Sequence, residues 1–126
     1  MIKYVLDASA VLALLFLEKG WEKVDSILSE SAVSTVNVAE ALTKLIQDDI
    51  SLKKASKEFF ALNLTLIELT TAQAVKAAEL RPLTKHRGLS LGDRCCLALT
   101  IQENATAVTA DRSWLNLNVC KIDFIR

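Results

Sequence analysis

The chain has 126 residues, 52% of them apolar, with fifteen acids balancing fifteen bases. That length suits one domain around one core, and so high an apolar share excludes a disordered chain. A formal charge of zero also excludes a generally basic nucleic-acid binder, so attraction to such a substrate has to be local.

Residues 2–6 read as a buried strand ending in the carboxylate of Asp7. An apolar helical run over 9–17 follows, with Asp7 or Ser9 near its cap, and Gly20 marks its end. Trp21, Val24, Ile27 and Leu28 recur at helical spacing. Residues 32–34 predict a short strand. Thr35 then opens a helix that carries Glu40 in its first two turns and ends at Asp48 and Asp49. Helices over 52–62 and 70–80 flank a strand over 65–67, and Pro82 is expected to stop the second helix because it disfavours helical geometry in the residue before it. A loop over 85–88 leads into a helix over 90–103. A strand over 106–109, a turn through Asp111 into a short helix, and a last strand over 119–122 complete the chain.

Strands alternating with helices predict an α/β fold, a parallel β-sheet with helices on both faces, as a single domain over residues 1–126. The longest apolar runs fall well short of the roughly 20 residues that a spanning helix needs. No basic segment and cleavage site precede an apolar stretch. The expectation is a cytoplasmic protein with no membrane partner. Cys95 and Cys96 are adjacent, Cys120 stands alone, and His86 is the only histidine. That spacing does not make a structural zinc site, and the cysteines read as small buried packing residues.

Four acids are distinguished by position. Asp7 and Asp111 follow strands, Glu40 sits early in a helix that follows a strand, and Asp93 opens the long apolar helix. In a parallel sheet all four fall at one edge, beyond the carboxyl ends of the strands, where open α/β sheets build their sites. Each acid alone has a plain structural reading: a cap for Asp7 and Asp93, a favourable helix dipole for Glu40, a turn for Asp111. Together they form a cluster of like charge that is costly unless a cation shares it. Oxygen donors without histidine or thiolate suit Mg²⁺ or Mn²⁺, metals that serve phosphodiester chemistry.

Four blocks in order carry a resemblance: Tyr4-Val5-Leu6-Asp7-Ala8-Ser9, Ser34-Thr35-Val36-Asn37-Val38-Ala39-Glu40, Leu89-Ser90-Leu91-Gly92-Asp93-Arg94, and Val108-Thr109-Ala110-Asp111-Arg112-Ser113-Trp114. The chain resembles the PIN-domain family and, more narrowly, its VapC-type ribonuclease toxins. The resemblance implies a Mg²⁺-dependent endoribonuclease that hydrolyses RNA phosphodiester bonds, with Mn²⁺ as a substitute. It makes Asp7, Glu40, Asp93 and Asp111 the catalytic, metal-holding residues. It gives Ser9, Thr35 and Thr109 supporting roles around them, and it implies a cognate antitoxin in the cleft and a homodimer. Relatives often carry a further Asp followed by Phe where this chain has Ser113 and Trp114, a departure that would weaken a second metal site.

Lys85, Arg87, Arg94 and Arg112, together with Arg81, lie near Asp93 or Asp111 in sequence and are candidates to contact RNA phosphates. The competing reading of each is a solvated surface charge, and Arg94 has the further option of pairing with a neighbouring carboxylate. Two other function classes compete with the enzyme. One is a catalytically degenerate module of the same fold that binds RNA or a protein without cleavage. The other, a receiver-like phospho-acceptor, lacks the required paired acids after the first strand. No glycine-rich phosphate loop is present for a Walker-type nucleotide binder.

Overall fold

The computed structural model describes all 126 residues. In chain order the elements are β1 (Tyr4–Leu6), α1 (Ala8–Phe16), α2 (Trp21–Ile27), β2 (Ser31–Ser34), α3 (Thr35–Gln47), α4 (Leu52–Ala61), β3 (Thr65–Ile67), α5 (Thr71–Glu79), α6 (Arg81–Thr84), α7 (Leu91–Gln102), β4 (Thr106–Thr109) and β5 (Lys121–Phe124). The strands form one sheet in the order β3-β2-β1-β4-β5, every neighbouring pair parallel. The expected α/β class is therefore correct.

Helix starts are written in the sequence as short polar side chains that accept an otherwise unpaired N–H of the first turn. Asp7 does this for α1, Ser34 for α3, Ser51 for α4, Thr70 for α5 and Ser90 for α7. Of the two candidates for the first cap, Asp7 takes the role by accepting from the Ala10 N–H.

Side-chain alternation along the strands divides the core into two layers. Val5 of β1 and Ala107 of β4 face one layer, with Cys95, Cys96 and Leu99 of α7, Ala77 of α5 and the fully buried Trp114. Leu6 and Val108, their neighbours in sequence, face the other, with Ala10, Val11 and Leu14 of α1, Val24 of α2, Ala41 of α3 and Phe59 of α4. Helices thus cover both faces. No helix is long and apolar enough to cross a membrane.

The predicted elements need correction in three places. Pro82 does not interrupt helical backbone at the residue before it; it sits in the first turn of α6, where its missing N–H costs no hydrogen bond, and Arg81 is helical. Residues 85–88 are not irregular: Lys85–Arg87 form a 3₁₀ turn closed by Gly88 at φ 68°. The last strand begins at Lys121 rather than Val119. Its register is fixed by β4, since Thr106 pairs with Lys121 and Thr109 with Phe124.

The topology decides where a site can form. From β1 the chain steps one way to β2 and β3, then returns to the opposite side of β1 for β4 and β5. The order reverses between β1 and β4, and the crevice beyond their carboxyl ends is the favoured place for a ligand in an open α/β sheet. Asp7 and Thr109 stand at those two ends.

Candidate active site

Asp7 is 3% exposed. The Ser9 hydroxyl and the Ala10 N–H donate to its Oδ1 at 2.7 and 2.9 Å, and the Thr109 hydroxyl donates to its Oδ2 at 2.6 Å. The two hydroxyls in turn accept backbone N–H groups, Ser9 from Ala110 at 2.9 Å and Thr109 from Asp111 at 3.0 Å. A continuous hydrogen-bond chain therefore joins the end of β1 to the end of β4 and to the Asp111 backbone. Burial pushes the Asp7 carboxyl up to about 6. The bonds from Thr109, Ser9 and Ala10 pull the other way, and the charge of Asp93 adds to the rise. Three donors occupy three of the roughly four acceptor directions of the carboxylate, which leaves one unused.

Asp93 is half-buried at the third position of α7, where it forms a capping box. Its N–H donates to Ser90 Oγ at 3.2 Å, while its Oδ2 accepts from the Ser90 N–H at 2.9 Å. Its second oxygen has no such partner. Burial raises its pKa, and the Asp111 charge adds to the rise; the Ser90 bonds and the Arg94 charge oppose it. Asp111 caps the short 3₁₀ turn Arg112–Trp114, its Oδ1 accepting from the Ser113 N–H at 2.9 Å. Asp7, Asp93 and Asp111 each perform the structural task proposed for it singly, and all three also lie within electrostatic reach as a chain, Asp7 to Asp93 to Asp111.

Glu40 lies in the second turn of α3, the helix that follows β2. Its Oε1 accepts from Asn37 Nδ2 at 2.7 Å, and its carboxylate lies directly against Gly92, the residue before Asp93. The same Asn37 amide donates to the Gly92 carbonyl at 3.1 Å. Sequence reasoning missed both Asn37 and Gly92. The only available signal was the placing of each within a block that also carries an acid.

The donors are all carboxylate oxygens, the chemistry of a hard divalent cation. No three acidic, histidine or cysteine side chains close on one point tightly enough to hold an ion by themselves. That spacing is compatible with Mg²⁺, which keeps several of its waters and takes one or two carboxylates directly. Carboxylate oxygens are the donors that a hydrated Mg²⁺ takes.

The expected supporting residues divide. Ser9 and Thr109 both touch Asp7. Thr35 does not join them: its hydroxyl accepts from the Leu69 N–H at 3.3 Å and ties α3 to the segment after β3. The basic residues divide as well. Arg94 donates from Nη1 to the Ala77 carbonyl at 3.0 Å, and its Nε is buried without a partner, so its head is held against α5. Arg87 donates to the Leu115 carbonyl at 2.7 Å. The Arg112 guanidinium lies 4.5 Å over the Phe124 ring and donates to the Arg126 carbonyl at 3.3 Å. Lys85 is exposed and is tied to no such partner. Cys95 and Cys96 are buried, and burial lifts both thiols; burial also pushes Cys120 up to about 11. None is poised as a thiolate.

Several solved structures share this fold over nearly the whole chain. The VapBC2 complex of Rickettsia felis bound to a promoter DNA fragment matches with a TM-score of 0.75 at 18% identity, covering 98% of each chain. DNA-bound VapBC from Salmonella typhimurium matches with 0.72 at 15% identity, covering 100% of each chain. VapBC-1 from nontypeable Haemophilus influenzae gives 0.74 at 16% identity, covering 99% of this chain and 98% of that one. No curated protein matches the sequence. The family model of the PIN domain matches residues 4–119, from the first strand through all four acids to the turn before β5. With both sequence and fold matched over that span, the chain belongs to the PIN-domain family.

Proposed function

We propose that the chain is a Mg²⁺-dependent endoribonuclease, the toxin of a VapBC-type toxin–antitoxin pair. The observation that carries this reading is Asp7: a carboxylate buried at the topological switch point, held by three donors, with Asp93 and then Asp111 in electrostatic reach. Burying an acid there is unfavourable for the fold alone and favourable beside a cation. The likeness in fold to the VapBC complexes supports the toxin assignment.

Asp7, Glu40, Asp93 and Asp111 would hold the ion. When bound, Mg²⁺ supplies Lewis-acid stabilisation of the charge that builds on a phosphodiester and lowers the pKa of water. Ser9 and Thr109 keep the Asp7 carboxylate oriented with one lone pair unused. The Ser90 capping box leaves the second Asp93 oxygen available. Lys85 and Arg81 are exposed and free to meet an RNA phosphate; Arg87, Arg94 and Arg112 would first have to leave the carbonyls they now bind. A cognate antitoxin and a second copy of the chain are the proposed protein partners.

A second reading, a module that binds RNA or protein without cutting, draws on the separation of the carboxylates. One assay divides the two. Purified full-length chain incubated with structured RNA should cleave it with Mg²⁺ or Mn²⁺ and stop in EDTA. Binding without cleavage at saturating metal favours the second reading, and full cleavage in EDTA removes the metal mechanism.

A further inference from the structure

Two features near Glu40 cost the fold stability, and the tie they provide between α3 and α7 is made through the Glu40 carboxylate. Asn37 is 1% exposed in the first turn of α3. Its amide nitrogen donates to Glu40 Oε1 and to the Gly92 carbonyl, at 2.7 and 3.1 Å. Both partners are acceptors, so the amide cannot be flipped to satisfy the oxygen instead. Asn37 Oδ1 is left buried with no partner, a penalty that an apolar side chain of the same size would avoid. Gly92 is the second feature. It sits in the first turn of α7, with a backbone that any residue could adopt, where glycine weakens a helix relative to alanine. Its backbone does not call for glycine; space does, since a Cβ at 92 would fall on the Glu40 carboxylate.

Both penalties converge on one carboxylate. We infer that Asn37 and Gly92 form a clamp that fixes the Glu40 carboxylate for a divalent cation, with Asn37 as a positioning residue acting through Glu40. This rests on the metal-dependent reading of the site. The amide pins one carboxylate oxygen. The missing Cβ lets the carboxylate lie against the start of α7, one residue from Asp93. By bonding the Gly92 carbonyl as well, Asn37 ties Glu40 to the helix that presents Asp93, so the two acids, 53 residues apart in sequence, are held in one register.

The test uses purified full-length protein and Mn²⁺ titration, with free Mn²⁺ read by electron paramagnetic resonance and folding checked by circular dichroism and melting temperature. Asn37→Leu should weaken Mn²⁺ binding by about ten- to a hundredfold, the usual loss when a partner that orients a metal ligand is removed. Gly92→Ala should weaken it similarly while leaving the melting temperature equal or higher. The flexible end of Glu40 can move aside, and alanine favours the helix. A purely structural role would not produce that split. In a Glu40→Gln background, Asn37→Leu should cost little further affinity, because its effect passes through Glu40. Folded Asn37→Leu or Gly92→Ala protein with wild-type Mn²⁺ affinity would overturn the clamp and leave the nuclease reading standing. Wild-type protein that neither binds Mn²⁺ nor cuts RNA would overturn both.

Discussion

At the scale of single residues, the chemistry is concentrated in Asp7. Its folded carboxyl is raised by burial from 3.8 to about 6. The folded state therefore binds this proton more tightly than the unfolded chain. The resulting destabilisation is absent below the unfolded value of 3.8, grows as pH rises from there toward about 6, and is fully present above it. A shift of two units corresponds to about 3 kcal/mol. Asp7→Asn removes the charge, and its Oδ1 still accepts from Ala10, so the helix cap survives. In EDTA the variant should melt higher than wild type at pH 7.5, with the gap closing as pH falls toward 4, and it should not cut RNA. A variant that melts lower than wild type at pH 7.5 would mean that the bonds from Ser9 and Thr109 outweigh the buried charge.

At the scale of elements, Asp93 shows how a cap and a site can share one side chain. An asparagine amide oxygen can still accept from the Ser90 N–H in the capping box, so Asp93→Asn should keep α7 and the stability of the fold in EDTA. It should shrink the melting shift that Mg²⁺ produces and abolish cleavage. Melting curves with EDTA and with Mg²⁺, beside an RNA cleavage assay, separate the two roles; an unchanged Mg²⁺ shift with normal cleavage would leave Asp93 a cap alone. The elements that could be read from sequence are those set by local chemistry. β3 and β4 fall where short β-prone runs between helices put them, and Asp7 and Asp111 were visible because a carboxylate following a strand is conspicuous. The helix over 70–80 does end at Leu80, but Pro82 misled about Arg81, because proline is as acceptable in a first helical turn as after a last one and Arg81 opens a new helix. β5 slid by two residues because Val119 and Cys120 are as apolar as the strand itself, whereas its register comes from pairing with β4. Asn37 was not legible as part of the site because one of its two contacts lies 55 residues away. Thr35 was misplaced for the same reason, its partner Leu69 being 34 residues distant.

At the scale of the whole molecule, stability and metal binding become one quantity. Trp114 is fully buried in the layer that joins α7, β1 and β4, directly after the Asp111 turn. Its truncation to alanine should cost about 3–5 kcal/mol, as large-to-small aromatic changes in a core do. Thermal melting would show this as a drop of roughly 4 °C per kcal/mol for a domain of this size. An unchanged melting temperature with lost RNA binding would reassign the indole to base stacking.

On the proposed reading, a proton and Mg²⁺ would compete for the same buried carboxylate. A ligand that binds only the native state stabilises it by RT ln(1 + [L]/Kd), about 2.7 kcal/mol at a hundred times Kd. At pH 7.5, above the raised Asp7 value of about 6, the carboxylate is ionised and open to the metal. At pH 5 most of it carries a proton and is a poor ligand for a cation. The Mg²⁺ shift in melting temperature should therefore be large at pH 7.5 and much smaller at pH 5. In Asp7→Asn it should be small at both. The EDTA baseline moves in the opposite sense, because protonating Asp7 removes its buried charge and stabilises the metal-free fold. Four melting curves for each protein, at two pH values with EDTA or saturating Mg²⁺, measure both trends together. A Mg²⁺ shift as large at pH 5 as at pH 7.5 in the wild type would mean that the ion binds without Asp7, and would move the metal away from the end of β1.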